Sequence, residues 1–194
     1  MASEARQAER LIELVRASPW LMRALRAARG LELASWCIGA GAVRNLVWDA
    51  LHGLASQPSA LSDIDLAYYD ADDLSPEREA ALQARLQASH PDLPWEVTNQ
   101  AAVHLWFAEY FGHAVEPLPS LEAALASWPE YATAVGVELD EQDNLQVIAP
   151  YGLEDLFGMV VRRNPARVSL ETYRQRVAQK RYAERWPRVR VVHE

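Results

Sequence analysis

The chain has 194 residues, of which 50% are hydrophobic and 24% are charged, and these values are ordinary for one globular domain with a substantial core. No apolar run reaches the roughly 20 residues that a membrane-spanning helix needs, and the mixed-charge amino terminus lacks the apolar stretch of a secretory signal. The single cysteine, Cys37, excludes an internal disulfide framework and a multi-cysteine zinc site, so a cytoplasmic protein is expected.

The net charge of −8 is unevenly distributed along the chain. Residues 86–161 contain twelve acidic residues and no Lys or Arg, whereas residues 162–194 contain ten basic residues and three acidic ones. This asymmetry indicates that the two regions face each other or that the basic region grips a polyanion, and a solvated helix face is an equally good explanation. The overall negative charge and the lack of a recognised motif argue against a general nucleic-acid binder.

The first part of the chain predicts two helices followed by a strand-turn-helix unit. Apolar residues recur at helical spacing in residues 4–18, and Ser18 with Pro19 is typical of a helix start. A second helix over residues 20–29 is expected to end at Gly30. Residues 31–38 then predict a strand, and "GAGAVRN" opens a helix over residues 42–53.

The remainder of the chain alternates predicted strands and helices before it ends in helices. The predicted strands span 59–70 and 93–99, with a hairpin over 135–150, and the predicted helices span 76–89, 100–112, 120–132 (interrupted before Pro129), 152–161 and 169–186. This order predicts an α+β fold with α/β-like character, in which a small mixed sheet is flanked by helices. We expect a single domain over residues 1–194, with a helical cap (1–30), a core (31–150) and a helical tail (151–194).

The stretch "LSDIDLAYYD" places two acidic residues in an otherwise apolar strand. Asp63 and Asp65 are two residues apart and therefore project from the same face, while Ile64 and Leu66 point to the core. Two carboxylates so close repel each other, and burial increases the cost. Exposure to water, a neighbouring Arg or a divalent cation such as Mg²⁺ can offset that cost.

A third acidic residue, Glu96, lies in the next predicted strand. If the two strands are neighbours, Glu96 joins Asp63 and Asp65. Three such carboxylates can hold two cations about 3.5–4 Å apart, which is the arrangement used for in-line phosphoryl or nucleotidyl transfer. A chance pair of acids in a strand is the alternative, and a metal–diphosphate motif of a glycosyltransferase is another, although it leaves Glu96 unexplained.

The turn "IGAGAVRN" connects a strand to a helix, where backbone amides and the helix N-terminus attract phosphate. Gly39 and Gly41 permit close backbone approach. The turn is neither a P-loop nor a dinucleotide-binding motif, since no Gly-Lys-Ser/Thr follows and Arg44 occupies the position of the last glycine. Glycines used simply for packing are the alternative.

The order of these features resembles the nucleotidyltransferase superfamily that includes DNA polymerase β. More narrowly, "GAGAVRNLVWD", "LSDIDLAYYD", "WEVTNQAAVHLW", "PYGLEDLF" and "YRQRVAQKRYAERWP" resemble a bacterial nucleotidyltransferase-like family, over about residues 36–186. The resemblance implies that Asp63, Asp65 and Glu96 are catalytic metal ligands, with Mg²⁺ or alternatively Mn²⁺ as cofactor. It also implies that Gly39 and Gly41 cradle a nucleoside triphosphate. The turn departs from the usual Gly-Gly or Gly-Ser pattern and lacks the Ser hydroxyl.

Several further residues are candidates for binding nucleotide or acceptor. Arg44 and Asn45, in the first turn after the glycines, are expected to bind nucleotide, and a surface salt bridge is the alternative for Arg44. Asn99 and Gln100 follow the third acidic strand and can contact substrate, although Asn is also a good helix cap. Arg174 and Lys180 lie in the basic C-terminal helix and can contact triphosphate or an anionic acceptor; a solvated face is the alternative.

Together these observations predict a Mg²⁺-dependent enzyme that transfers a nucleoside monophosphate from a triphosphate to the hydroxyl of an unidentified acceptor. The alternative is a non-catalytic nucleotide-binding or regulatory module, of an antitoxin-like kind, on the same fold. The altered glycine turn favours the second hypothesis, whereas the presence of all three acids favours the first.

Overall fold

The computed structural model describes residues 2–56 and 59–193. The helices are α1 (Ala2–Arg16), α2 (Pro19–Arg29), α3 (Gly41–Leu51), α4 (Pro76–Ser89), α5 (Val103–Phe111), α6 (Leu121–Leu125), α7 (Glu154–Phe157), α8 (Leu170–Lys180) and α9 (Tyr182–Arg185). The strands are β1 (Trp36–Gly39), β2 (Ile64–Tyr68), β3 (Trp95–Asn99), β4 (Gly136–Leu139), β5 (Leu145–Ile148), β6 (Val160–Val161) and β7 (Arg190–Val191). None of the helices in the described ranges combines the length and the apolar character that crossing a membrane requires.

Five strands form a mixed sheet in the order β3-β2-β1-β4-β5. Strands β2 and β3 are parallel because α4 connects them by a crossover, and the other neighbouring pairs are antiparallel. The predicted α+β fold with a small mixed sheet flanked by helices is therefore confirmed, and so is the hairpin, which forms β4 and β5.

A hydrophobic cluster joins the helical ends of the chain to the sheet. It includes Leu11 of α1, Trp48 of α3, Ile64 of β2 and Trp186 after α9, each fully buried. Trp48 and Trp186 meet edge to face at a centroid distance of 5.2 Å. The first and last helices are thus packed onto the same core as the sheet.

Ser18 caps α2 as predicted, and Ser75 caps α4 in the same way: each accepts a hydrogen bond from the backbone N–H three residues later, and a proline follows each cap. The first predicted strand is shorter than expected. Leu31 forms a turn after α2, Glu32 adopts the left-handed region at φ 58°, and residues 34–35 form a bend, so β1 begins only at Trp36.

The C-terminal tail differs most from the prediction. The predicted helix over 152–161 is wrong in its second half, because Met159 adopts φ 54° and the β-branched pair after it forms β6, which pairs with β7. The predicted helix over 169–186 is interrupted at Arg181, which adopts φ 51° and separates α8 from α9. The predicted helix over 120–132 ends early, at Leu125, and residues 100–102 form a 3₁₀ turn ahead of α5.

Candidate functional site

One row of residues across four strands builds the floor of the site. In the strand register, Gly136 of β4 lies opposite Gly39 of β1, Gly39 lies opposite Asp65 of β2, and Asp65 lies opposite Glu96 of β3. Residues in one row of a sheet project from the same face. The register therefore places the glycine turn beside the acid pair and the acid pair beside the third acid.

The three acidic side chains converge. Asp63, Asp65 and Glu96 each offer a carboxylate oxygen, and these oxygens all lie within 4.8 Å of one another. The neighbours Ile64 and Leu66 are fully buried, as the alternation of the strand predicts. Asp63 also accepts a hydrogen bond from the Ser62 hydroxyl at 3.0 Å.

The pKa values of the acidic side chains reflect how close they lie to one another. Burial, together with the charges of Asp63 and Glu96, raises the pKa of Asp65 to about 7. Burial and the charge of Asp63 also raise the pKa of Glu96. The side chains of Arg176 and Lys180 act in the opposite direction on Asp65 without cancelling the rise. Three hard oxygen ligands that repel one another at this spacing fit a divalent cation such as Mg²⁺ or Mn²⁺.

The glycine turn has a tight and partly strained backbone. Ala40 adopts φ 52°, which is unusual for a residue other than glycine, and its N–H donates to the Val135 carbonyl at 3.1 Å. A Cβ at Gly39 would lie 2.7 Å from the Val135 carbonyl and 2.9 Å from the ring of Trp128. Gly39 is therefore required for packing beneath Trp128, the alternative considered from the sequence, whereas Gly41 lines a cavity at the start of α3.

That cavity, of about 250 Å³, is polar and carries both signs of charge. The three acids, Gly41 and Asn45 are part of its lining. Four basic side chains also line it: Arg44, Arg176, Lys180 and Arg185. We call it the polar cavity. Burial and the nearby guanidinium groups of Arg176 and Arg44 lower the pKa of Lys180, which reflects the crowding of positive charge.

Arg44 is not part of a surface salt bridge, because it is buried, with 3% of its surface exposed. It donates to Thr133 Oγ1 at 3.1 Å and to Asn45 Oδ1 at 3.1 Å, and its guanidinium lies 4.9 Å from the ring centroid of Tyr182. Its Nε is buried without a hydrogen-bond partner among the described residues. The surface alternative is therefore wrong, and the residue lies at the cavity wall.

A buried carboxylate, Glu130, holds the basic helix in place. Glu130 accepts hydrogen bonds from Arg176 Nε at 2.6 Å, from Thr133 Oγ1 at 2.8 Å and from Tyr182 Oη at 3.3 Å. Burial alone would raise the pKa of Glu130, but Arg176, Arg44 and Thr133 together hold that pKa below its ordinary value. Arg176 is thereby fixed where it lines the polar cavity.

The structure brings some of the other predicted residues to the cavities and leaves others away from them. Lys180 lines the polar cavity, and Gln100 lines an adjacent one. Asn99 is buried and caps the turn before α5: its Oδ1 accepts from Ala101 N–H, and its Nδ2 donates to the carbonyls of Asp70 and Asp73. These contacts favour the capping role over substrate contact. Arg174 is exposed on α8 and lines none of the cavities described here.

Sequence reasoning missed Arg176, Arg185 and Glu130. Arg176 is two residues from Arg174 and lies on the opposite side of the helix, whereas the predicted Lys180 is four residues from Arg176 and shares its side. Arg185 follows the break at Arg181, which redirects the chain towards the cavity. The available signal was the basic character of residues 162–194, which does not say which arginines turn inward.

Comparisons with known proteins agree with this geometry. Residues 26–191 match a family described as nucleotidyltransferase. The chain is 30% identical to a protein whose NMR structure is described as revealing a CCA-adding enzyme head domain, with a TM-score of 0.78 and coverage of 96% of each chain. No curated protein matches the chain significantly.

Larger enzymes share the fold at lower identity. A CCA-adding enzyme in complex with CTP is 14% identical, with a TM-score of 0.57, and an apo tRNA-processing enzyme is 18% identical, with a TM-score of 0.52. The match covers 95% and 88% of this chain but only 43% and 42% of those enzymes, so the chain spans less than half of their length. The family match decides against a glycosyltransferase. Because this match extends over most of the chain, the protein belongs to the nucleotidyltransferase family.

Proposed function

We propose that the protein transfers a nucleoside monophosphate from a nucleoside triphosphate to an acceptor hydroxyl, with Mg²⁺ or Mn²⁺ held by Asp63, Asp65 and Glu96. One observation carries the proposal: three converging carboxylates border a cavity lined by four basic side chains at the start of α3. A CCA-adding enzyme of the same fold has been solved with CTP, which supports a nucleoside triphosphate as the donor.

In this proposal the basic side chains bind the phosphates and the acidic side chains bind the cations. Arg44, Lys180 and Arg185, with the backbone at Gly41, hold the β- and γ-phosphates through charge-assisted hydrogen bonds. Asp63, Asp65 and Glu96 would hold the divalent cations. Such cations, when bound, would offset the negative charge that develops on the phosphoryl oxygens.

The reaction balances as a single displacement. The acceptor oxygen forms a bond to the α-phosphorus while the bond from that phosphorus to the bridging oxygen of the β-phosphate breaks. Pyrophosphate leaves with the electron pair, opposite the incoming oxygen. The hydroxyl proton passes to the carboxylate of Glu96 and then to water.

Calorimetry of Mg²⁺–nucleotide binding tests the site assignment. A non-hydrolysable triphosphate with Mg²⁺ is expected to bind the wild type and to lose at least tenfold in affinity with the double substitution Asp63→Asn/Asp65→Asn. Asp72→Asn, which changes an exposed acid outside the cluster, is the matched control. Equal affinity of the double variant and the wild type would show that these acids do not hold the nucleotide complex.

The second candidate function is a non-catalytic nucleotide-binding or regulatory module. It is favoured by Ala40, which provides no hydroxyl at the turn and leaves α3 without a side-chain cap. Pyrophosphate release separates the two candidates, because a pure binder retains nucleotide affinity but releases none with any acceptor tested.

We also propose that residues 1–194 form one nucleotidyltransferase-like domain. The hydrophobic cluster that joins Leu11 to Trp186 supports this view, and a single cooperative unfolding transition, seen equally by fluorescence and circular dichroism, would test it. Residues 1, 57, 58 and 194 lie outside the described residues. The cytoplasmic location stays a prediction, which cell fractionation would test.

A further inference from the structure

A second cavity, of about 480 Å³, opens beside the acid cluster. Four aromatic side chains form much of its wall: Trp106, Phe107 and Phe111 from α5, and Trp128, the residue packed over Gly39. We call it the aromatic cavity. Trp106 and Phe111 keep 37% and 44% of their surface exposed, so flat faces remain available to a ligand. A volume of this size suits one small molecule.

The aromatic cavity and the polar cavity meet at Glu96 and Arg176, the two residues that line both, while the rest of each wall is different. One side of this junction carries basic and acidic side chains and suits phosphates together with their cations, and the other is apolar and suits a ring. A molecule seated in the aromatic cavity can therefore reach the acid cluster through Glu96.

Arg167 supplies the aromatic cavity with a polar contact. Its guanidinium lies 5.7 Å from the ring centroid of Phe107, and it donates to the Glu116 carbonyl. Its Nη1 is buried without a hydrogen-bond partner within the described part of the chain. A buried N–H without a partner is costly, and a ligand oxygen or ring nitrogen would satisfy it.

We propose that the aromatic cavity is the acceptor site, and that the acceptor is a small molecule with a flat ring, a hydroxyl group and a hydrogen-bond acceptor for Arg167. The inference rests on the proposed function, because an in-line displacement requires the acceptor oxygen and the leaving pyrophosphate on opposite sides of the α-phosphorus. With the phosphates in the polar cavity, the acceptor oxygen enters past Glu96 from the other cavity.

The charges favour a small acceptor over the end of an RNA strand. Among the residues that line the aromatic cavity, Arg167 and Arg176 are the basic ones, and Glu130 already pairs with Arg176. The chain as a whole carries −8. Following a phosphate backbone takes several available cations, whereas stacking one ring takes flat aromatic faces.

The first test measures binding of a defined panel: the four ribonucleosides, tyrosine and 4-hydroxybenzoate, with methyl ribofuranoside as a ring-free control and a 12-nucleotide single-stranded RNA as the macromolecular alternative. At least one ring compound is expected to bind by calorimetry, and the ring-free control is not. Trp106→Ala and Phe111→Ala are each expected to weaken that binding about tenfold.

A matched control lies on the same helix. Leu105 is 62% exposed and does not line the cavity, so Leu105→Ala is expected to change the affinity less than twofold. Arg167→Met should weaken binding most for the compound with the best oxygen acceptor. Melting temperatures verify that each variant is folded, as expected for Trp106→Ala and Phe111→Ala because both positions are partly exposed.

The outcomes keep this inference separate from the proposed function. Saturation with Mg²⁺ and a non-hydrolysable triphosphate should leave ring binding intact, and so should Asp63→Asn/Asp65→Asn. If the ring compound binds and the variants weaken its binding as expected, but no pyrophosphate is released, the proposal of nucleotidyl transfer is contradicted. The aromatic cavity then remains assigned as a binding site for a ring compound. Competition between the triphosphate and the ring compound would reassign the cavity to the base of the donor. Failure of the whole panel to bind, or tight binding of the RNA alone, would overturn the proposal.

Discussion

Glu130 and Asp65 are carboxylates of the same region, yet the protein surrounds them in opposite ways. Glu130 is buried and accepts hydrogen bonds from Arg176, Thr133 and Tyr182. The charges of Arg176 and Arg44 and the hydrogen bonds from Arg176 and Thr133 hold its pKa below the ordinary value. Asp65 lies against two other acids, and its pKa is raised to about 7. The fold thus surrounds Glu130, which holds α8, with hydrogen-bond donors, whereas it places the carboxylates of the acid cluster where they repel one another.

Removing the carboxylate of Glu130 is expected to cause the largest loss of stability. Glu130→Ala leaves Arg176 as a half-buried cation without its partner, and breaking a buried ion pair costs about 3 kcal/mol or more in the free energy of unfolding. Urea denaturation measures this loss. Glu109→Ala, at an exposed position of α5, is the control and should cost less than about 0.5 kcal/mol. Similar losses for the two variants would contradict the role given to Glu130.

A divalent cation is expected to raise the stability of the protein by binding to Asp63, Asp65 and Glu96, whose carboxylates repel one another. Mg²⁺ or Mn²⁺ at a hundred times its dissociation constant is expected to stabilise the wild type by about 2.7 kcal/mol, because it binds the folded state alone. Thermal unfolding with the metal and with EDTA measures the gain. Asp65→Asn should abolish it and Asp72→Asn should retain it; a gain that survives Asp65→Asn would place the cation elsewhere.

Without metal, the same substitution should increase stability. At pH 8 in EDTA, Asp65→Asn is expected to raise the free energy of unfolding by at least about 1 kcal/mol, the value of one pKa unit, because it removes a repelling charge. The folded pKa of Asp65 is raised from 3.8 to about 7, so the folded protein takes up a proton between these values. The cost of the charge is therefore complete above pH 7 and falls towards pH 4, and the difference between the proteins should narrow in that range. A difference that stays constant between pH 8 and pH 4 would exclude this cause.

The smallest expected effect concerns one hydroxyl. Thr133→Val removes a donor to Glu130 and an acceptor for Arg44 and is expected to cost about 1 kcal/mol in the free energy of unfolding. Thr133→Ser retains the hydroxyl and should recover most of that loss. If both variants lose equally, the methyl group rather than the hydrogen bonds stabilises this position.

The acid half of the site could be predicted from local sequence, and the basic half could not. Asp65 is the second residue of β2, Asp63 lies just before that strand, and the order of elements predicts that Glu96 lies in a neighbouring strand. The register that sets Asp65 opposite Glu96 confirms that neighbourhood. Whether the three act as metal ligands stays a prediction.

The basic half depends on how distant segments dock. Arg176 and Arg185 reach the cavity because Glu130 fixes α8 and because Arg181 breaks the helix in a left-handed conformation, neither of which has a local signature. The strands β6 and β7 contain two residues each, so they are too short for a periodic pattern in the sequence to predict them. The requirement for glycine at Gly39 is likewise not apparent from local sequence, because a Cβ there would collide with Trp128, which lies far along the chain.

The position of α8 and α9 has a consequence for the order in which the site is completed. The three carboxylates come from residues 63–96, whereas three of the four basic side chains of the polar cavity come from residues 176–185. During synthesis the acidic wall leaves the ribosome long before the basic wall, and contacts of such long sequence separation form late in folding. A chain cut before α8 would keep the three carboxylates and lose three of the four basic side chains of the polar cavity, so the last two helices complete the wall of that cavity.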